Sequence, residues 1–344
     1  MLKELCEAFG VSGCEFEVRE VIENVAKPYA DDIFTDNIGN LIVFKRAISP
    51  SNGKTIMLAA HMDEVGLIIT QITDDGFLRF NTVGGIDATI LPSKRVKINN
   101  ISGIIGVKPI HLTPVPEREK PLKISDLYID IGAKSYDDAK KHVTIGDYVG
   151  FESDFVEFGE QIKAKALDDR AGCAILLKTL KTNWNFDLFC VFTVQEETGL
   201  RGASVASNVV KSRVKDIDNI YALVVEATTC NDLPNVPEHS RVTKLGDGPA
   251  ISILDSASFA NRKLVEILKK VAIENEIPFQ FKASTKGGND AGAITIRQIP
   301  VASVSVPCRY IHSPVCVMNK HDFEHTQNLV SQFLRKMADE DMEE

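Results

Sequence analysis

Several features that would settle the class of this 344-residue chain at once are missing. No apolar run reaches the roughly 18–20 residues needed to cross a bilayer, so no membrane partner is expected. No run of lysine and arginine stands out, and the net charge is −9. Such a chain gains nothing from counterion release, so nucleic acid is not an expected partner either. The seven cysteines are odd in number and scattered, with no CxxC pair. That argues against a disulfide framework and for a reducing cytoplasm. The opening stretch "MLKELCEAFGVSGCEFEVREVIENV" has no apolar core followed by a small-residue cleavage site, so it does not read as a signal peptide. GxSxG, HExxH, Walker A and GxGxxG motifs are all absent, as are internal repeats.

What is present is ordinary globular composition, 44% hydrophobic and 25% charged, over a length that suits two domains. Strand-length apolar runs alternate with helical patterns in two separated regions. The first has a helix over 15–30, then strands at 40–46 and 54–61. The second has helices at 168–182, 201–210, 261–276 and 321–341, with strands at 187–195, 221–228 and 301–307. This alternation predicts an α/β fold, a mostly parallel sheet with helices on both faces. The stretch between has another texture. Short strands, Gly- and Asn-rich turns and a hairpin turn at Asp74, Asp75 and Gly76 predict a small β-barrel or sandwich over 69–162, inserted into the α/β unit. The division is therefore 1–68 with 163–344, and 69–162. The acidic tail "ADEDMEE" reads as frayed and solvated.

Side chains that bind metals cluster where apolar strands end. His61 and Asp63 follow the strand at 54–60, and Asp168 and Asp169 open a helix. Glu196 and Glu197 follow the strand at 187–195, Glu226 closes an apolar run, and His312 lies beyond the strand at 301–307. Ligand sites in open α/β sheets lie outside the carboxyl ends of the strands, so these residues are expected to converge. Two imidazoles with several carboxylates suit Zn²⁺, Co²⁺ or Mn²⁺ better than Ca²⁺. Two such ions about 3.5–4 Å apart can share a hydroxide and polarise a carbonyl. Glu196 and Glu197 are adjacent, and on extended backbone their side chains diverge, one toward a metal and one toward water. Each element also has a plainer reading. An acidic pair opening a helix is most often a cap, and a lone strand-end histidine is most often just half-exposed. His321 and His325 share a helix face, but no third ligand lies near them in sequence. Cys173 reads as core.

Taken together, "AAHMDEVG", "KALDDRAGCA", "QEETGLRGA", "VVEATTCNDLP", "KGGNDAGAI" and "RYIHSPVCV" resemble the tetrahedral (TET) dinuclear-metal aminopeptidases, whose members have often been labelled cellulases or endoglucanases. The resemblance runs from about residue 5 to 335 in the family's order. It implies a zinc-peptidase-like catalytic domain and a dimerising insertion, with dimers assembling into a tetrahedral dodecamer that admits short peptides. It implies that His61 and Glu226 hold one metal and His312 and Glu197 the other, with Asp168 bridging them. Glu196 matches the general base, Asp63 the acid that orients His61, and the Asp168-Asp169 peptide is expected to be cis. The chain departs from the pattern at Glu226, where many relatives carry Asp, and at Asn289, where "GGTD" is commoner. The competing readings are a metal-free glycoside hydrolase, with two carboxylates flanking a sugar, and a non-catalytic assembly protein on the same scaffold.

Overall fold

The computed structural model describes residues 1–118, 120–283, 286–340 and 342. Residues 341, 343 and 344 of the acidic tail lie outside the described residues, and with them the last position of the helix expected over 321–341.

Every residue of the strand Thr55–His61 is buried because it runs through the middle of a sheet covered on both sides. It pairs in parallel with Asp187–Thr193 on one side and Ile220–Thr229 on the other, and the latter pairs in parallel with Val301–Arg309. Side chains alternate between the two faces. Ile56, Leu58 and Ala60 share one core with Leu176, Leu264 and Leu329, which lie on helices Leu167–Thr179, Arg262–Glu274 and Lys320–Asp339. Met57 and Ala59 meet Ala203, Val210 and Ile294 from helices Arg201–Arg213 and Asp290–Ile296. Coverage on both faces is why these strands read as unbroken apolar runs. Full burial of a single leucine such as Leu58 contributes about 1.5–3 kcal/mol.

The four central strands are parallel, and the eleven-stranded sheet is extended mostly by antiparallel strands; Ala250–Ser252 joins Val301–Arg309 antiparallel and carries Gln280–Phe281 in parallel. Leu41–Lys45 and Asp32–Thr35 extend it on one side. Cys316–Asn319, Gln161–Ala164 and Val156–Phe158 extend it on the other. These margin strands are three to five residues long, so they carry no long hydrophobic signal. The strand expected over 187–195 stops at Thr193, because Gln195 turns the chain with φ 55°. The helix expected over 15–30 runs Phe16–Ala26 and tightens into a 3₁₀ turn, Lys27–Tyr29, at Pro28, which has no N–H to donate.

Strands Gly66–Ile72, Leu78–Val83, Arg95–Ile98, Ile101–Val107, Leu127–Asp130 and Tyr148–Phe151 close into a six-stranded barrel. Leu67, Ile69, Leu78, Phe80, Val96, Ile98 and Ile129 fill its interior from alternating positions. The turn at Asp74, Asp75 and Gly76 forms as expected, with Thr73 N–H donating to the Phe77 carbonyl at 2.8 Å and Gly76 at φ 88°. The barrel begins five residues after His61, so the chain enters it directly from the sheet edge that carries the candidate site.

Gly172 explains how the Leu167–Thr179 helix comes so close to that edge. A Cβ there would collide with the Asp169 carboxylate and the Val225 carbonyl, so only glycine lets the helix start lie against the strand bearing Glu226.

Candidate metal centre

His61 is the last residue of its strand and is 2% exposed. Its Nε2 lies 3.2 Å from Asp168 Oδ1 and 3.2 Å from Glu226 Oε1. Across the cluster, His312 Nε2 lies 3.2 Å from Glu197 Oε2 and 3.7 Å from Asp168 Oδ2. Asp168 thus presents one oxygen to each histidine, and each histidine has a second carboxylate of its own. Two sets, His61 with Asp168 and Glu197, and His61 with Asp169 and Glu226, place ligand atoms within 4.8 Å of one another.

Asp63 ties the parts together. It is fully buried, and its Oδ1 lies 3.5 Å from His61 Nδ1. Its oxygens also accept the backbone N–H groups of Glu196 at 3.0 Å and Glu197 at 3.2 Å, and the Ser12 hydroxyl at 2.5 Å. His61 Nδ1 also lies 3.1 Å from the Asp63 backbone carbonyl, so this one residue sets the imidazole while its carboxylate sets the turn that carries the two glutamates. Burial would raise the Asp63 pKa, but the His61 imidazole and these donors outweigh it and hold it below the usual range.

The glutamates do not lie on extended backbone, as the sequence suggests. They sit in a turn just past the end of their strand, after left-handed Gln195. Both still face the cleft. Glu226 lies inside the strand Ile220–Thr229, which runs three residues beyond it. His312 stands three residues past Val301–Arg309 in a left-handed conformation with φ 57°. The Asp168-Asp169 peptide is cis.

The electrostatics of this cluster call for positive charge. Burial pushes Glu196 and Glu197 well above the usual carboxylate range, and neighbouring carboxylates add to it. Burial likewise lifts Glu226 to about 7, against the pull of His61. Burial alone would depress the His61 imidazole, but Glu226, Asp168 and Asp63 override it and hold its pKa well above the ordinary value. Glu226 Oε2, Asp169 Oδ2 and Asp290 Oδ1 are buried and accept no hydrogen bond. Buried carboxylate oxygens left without a donor are costly, and a cation or a proton relieves them.

Three buried groups here escaped the sequence reading. Asp290 accepts the Thr193 hydroxyl at 2.5 Å and lies near Glu196 and Glu226, yet in "GGNDAGA" a lone acid at a helix start reads as a cap. Glu64, beside Asp63 in sequence, points away to Lys165 and Arg170. Glu15 accepts the N–H groups of Gly13 and Gln195, and burial raises its pKa to about 7. Buried acids inside apolar surroundings were the only available signal, and a sequence does not show burial of single residues.

The ends of the last two parallel strands are clipped by an ion pair. Arg309 donates to Asp232 through Nε at 2.6 Å and Nη2 at 2.7 Å. Burial would raise the Asp232 pKa, but the Arg309 fork outweighs it and takes the value from 3.8 to about 2. The carboxylate is favoured in the folded state, so this contribution to stability is complete above pH 3.8 and is lost as pH falls toward about 2. Asp232→Asn is therefore expected to flatten the acid limb of a stability–pH curve in that window. An acid limb identical to wild type would contradict this.

His61, Asp168, Glu196, Glu197, Glu226 and His312 line one cleft of about 630 Å³. His321 and His325 lie apart from it on the last helix, and His321 faces Glu160 and Glu324 at the surface.

Known proteins are similar to this chain in sequence and in fold. The family model described as M42 glutamyl aminopeptidase matches residues 39–329. A TET aminopeptidase from the marine sediment archaeon Thaumarchaeota archaeon SCGC AB-539-E09 is 33% identical, with TM-score 0.91, over 99% of this chain and 96% of that one. The Pyrococcus horikoshii TET1 peptidase, which can assemble into a tetrahedron or a large octahedral shell, is 33% identical with TM-score 0.84, over 97% and 98%. A Thermotoga maritima protein solved under the name endoglucanase is 37% identical with TM-score 0.79, over 98% and 99%. With nearly the whole chain matched in sequence and in fold, this protein belongs to the M42 glutamyl aminopeptidase family of peptide hydrolases.

Proposed function

We propose that the chain releases N-terminal residues from short peptides using two divalent cations, with Glu196 as general base. The observation that carries this reading is the placement of Asp168, whose two oxygens each face a separate histidine–carboxylate pair. One ion would rest on His61, Glu226 and Asp168, the other on His312, Glu197 and Asp168. The residues fit such ions: the donors are imidazole and carboxylate, and Glu226 Oε2 is buried without a partner. Zn²⁺ is the first choice, with Co²⁺ or Mn²⁺ also suited to this set. When bound, the ions would supply Lewis acidity at the scissile carbonyl and make a water easier to deprotonate.

The protein's own residues do the rest. Glu196 faces the cleft but is not part of either histidine–carboxylate pair, so its carboxylate is free to take the proton of the attacking water. It then passes that proton to the leaving amine. Asp63 holds the His61 ring through Nδ1, which keeps Nε2 turned toward Asp168 and Glu226. Asp169 Oδ1 accepts the Gly172 N–H at 2.9 Å, which holds the helix start beside Glu226.

Self-association is part of the proposal, with the barrel as the dimer surface and a tetrahedral dodecamer as the assembly. Ile110 and Leu112, in the segment between two barrel strands, are 71% and 62% exposed, which suits a buried interface. The P. horikoshii relative supports the same reading. A cytoplasmic setting is also proposed, and the seven unpaired cysteines support it.

The test is a panel of aminoacyl-p-nitroanilides offered to chelator-treated protein, with Zn²⁺, Co²⁺ and Mn²⁺ added back separately. The expected result is no release of p-nitroaniline without metal and recovery with at least one ion. Failure with every ion would sink the proposal, and chelator-resistant cleavage of a β-glucan would favour the glycosidase.

A further inference from the structure

The two histidines of the centre are held by different parts of the molecule. His61 is 2% exposed, and its Nδ1 contacts Asp63, two residues away on the same sheet edge. The His312 side chain is 38% exposed and stands on an irregular turn, with Tyr310 and His312 both left-handed. Within that turn the Ser313 hydroxyl donates to the Tyr310 carbonyl at 2.6 Å, but this bond does not touch the imidazole. The contact that does comes from the barrel. His312 Nδ1 lies 3.0 Å from the carbonyl oxygen of Gly85, 227 residues away in sequence.

Gly84 and Gly85 follow directly on the barrel strand Leu78–Val83. Gly84 has φ 83°, and a Cβ on it would come within 2.8 Å of Val65 and 3.4 Å of Glu197 Cβ. A Cβ on Gly85 would sit 3.4 Å from His312 Nδ1. The glycine pair therefore lies against both His312 and Glu197. A carbonyl can only accept, so this contact requires the proton on Nδ1. That fixes the tautomer and leaves the Nε2 lone pair facing Glu197 and Asp168.

We propose that the inserted barrel, through the Gly85 carbonyl, positions His312 for the second cation, so that one of the two metal sites is completed only by the barrel. This rests on the two-cation reading above. Gly85 is a positioning residue, since it touches the imidazole and no reacting atom. The consequence is an asymmetry between the sites. The His61–Glu226 site is built from the sheet and one helix end, whereas the His312–Glu197 site needs the barrel seated against it. The second site should therefore be the weaker and more exchangeable of the two.

The experiment is metal titration of the chelator-treated full chain by calorimetry, with bound Zn²⁺ counted by atomic emission and Co²⁺ loading followed in the visible spectrum. Gly85→Ala and Gly85→Val are compared with wild type. Gly85 has no positive φ, so neither substitution needs a left-handed backbone; an alanine Cβ would rest in contact with the imidazole, and the valine methyls reach beyond that contact. Wild type is expected to bind two ions. Gly85→Val is expected to keep one at unchanged affinity and lose about 10–100-fold on the other, the usual effect of disturbing a group that orients a metal-binding histidine. Gly85→Ala is expected to show a smaller loss at the same site, and it decides the matter if the valine variant fails to fold. Two ions bound at wild-type affinity in both variants, or equal weakening of both sites, would overturn the inference and leave the two-cation reading intact. If wild type itself bound no ion or only one, the two-cation reading would fall instead.

Discussion

Glu196→Gln is expected to lower kcat for aminopeptide hydrolysis by about 10²–10⁴-fold, the range supplied by a general acid–base group. Glutamine keeps the volume and the hydrogen-bonding shape of the side chain but cannot accept a proton from water. Glu196 N–H bonds to Asp63, so the turn should stay in place whichever side chain it carries. Glu196 is also not part of the pairs formed by His61, Glu226, Asp168, His312 and Glu197. The variant should therefore bind metal as wild type does, measured by atomic emission, while turnover collapses. Near-wild-type turnover would refute the role. Loss of metal together with activity would assign Glu196 to the ligand set instead of the base.

Glu64→Gln is expected to cost about 3–5 kcal/mol of stability, as breaking a buried ion pair from one side generally does. Glu64 is 2% exposed, and it faces Lys165 at 7% and Arg170 at 0%. Its Oε1 accepts from Lys165 Nζ at 2.6 Å and from Arg170 Nη2 at 3.4 Å. Removing its charge strands two cations in the interior. Lys165 also donates to the Ala8 carbonyl at 2.9 Å, and Arg170 donates to the carbonyls of Leu5 and Ala8. The cluster therefore ties the N-terminal segment to the start of the helix that carries Asp168. Burial lowers the Lys165 pKa, opposed by Glu64, so loss of Glu64 should lower it further. A folded-state lysine pKa below the unfolded one favours folding more as pH rises, so part of the lost stability should return at alkaline pH. Urea unfolding of metal-free protein at two pH values measures both effects. A change under about 1 kcal/mol, the size of an exposed pair, would show that the charges are solvated after all.

The two predictions touch neighbours of opposite legibility. Glu196 stands out in "QEETG" because a carboxylate pair directly after an apolar run is chemically conspicuous. Glu64 stands beside Asp63 in "HMDEVG" and offered no clue to its direction. Its partners are 101 and 106 residues away, and only folding shows that it turns from the cleft toward two buried cations. Asp290 is a similar case, since a single acid after Gly-Gly-Asn has a sufficient explanation as a helix cap until its burial is known.

The sequence by itself determined the α/β architecture and the candidate ligands. Long parallel strands buried on both faces must be apolar throughout, so they are visible, and the acids and histidines at their ends stand out against them. Apart from the strand at 40–46, tertiary structure decided the antiparallel margins, whose strands of three or four residues carry little pattern. It also decided how charge is shared. Asp63 anchors a histidine and a turn at once, and Glu64 neutralises a buried basic pair. The Gly85 carbonyl joins the barrel to His312. A backbone carbonyl has no residue type, and a buried pair has no fixed spacing, so contacts of this kind exist only once distant segments have been packed together.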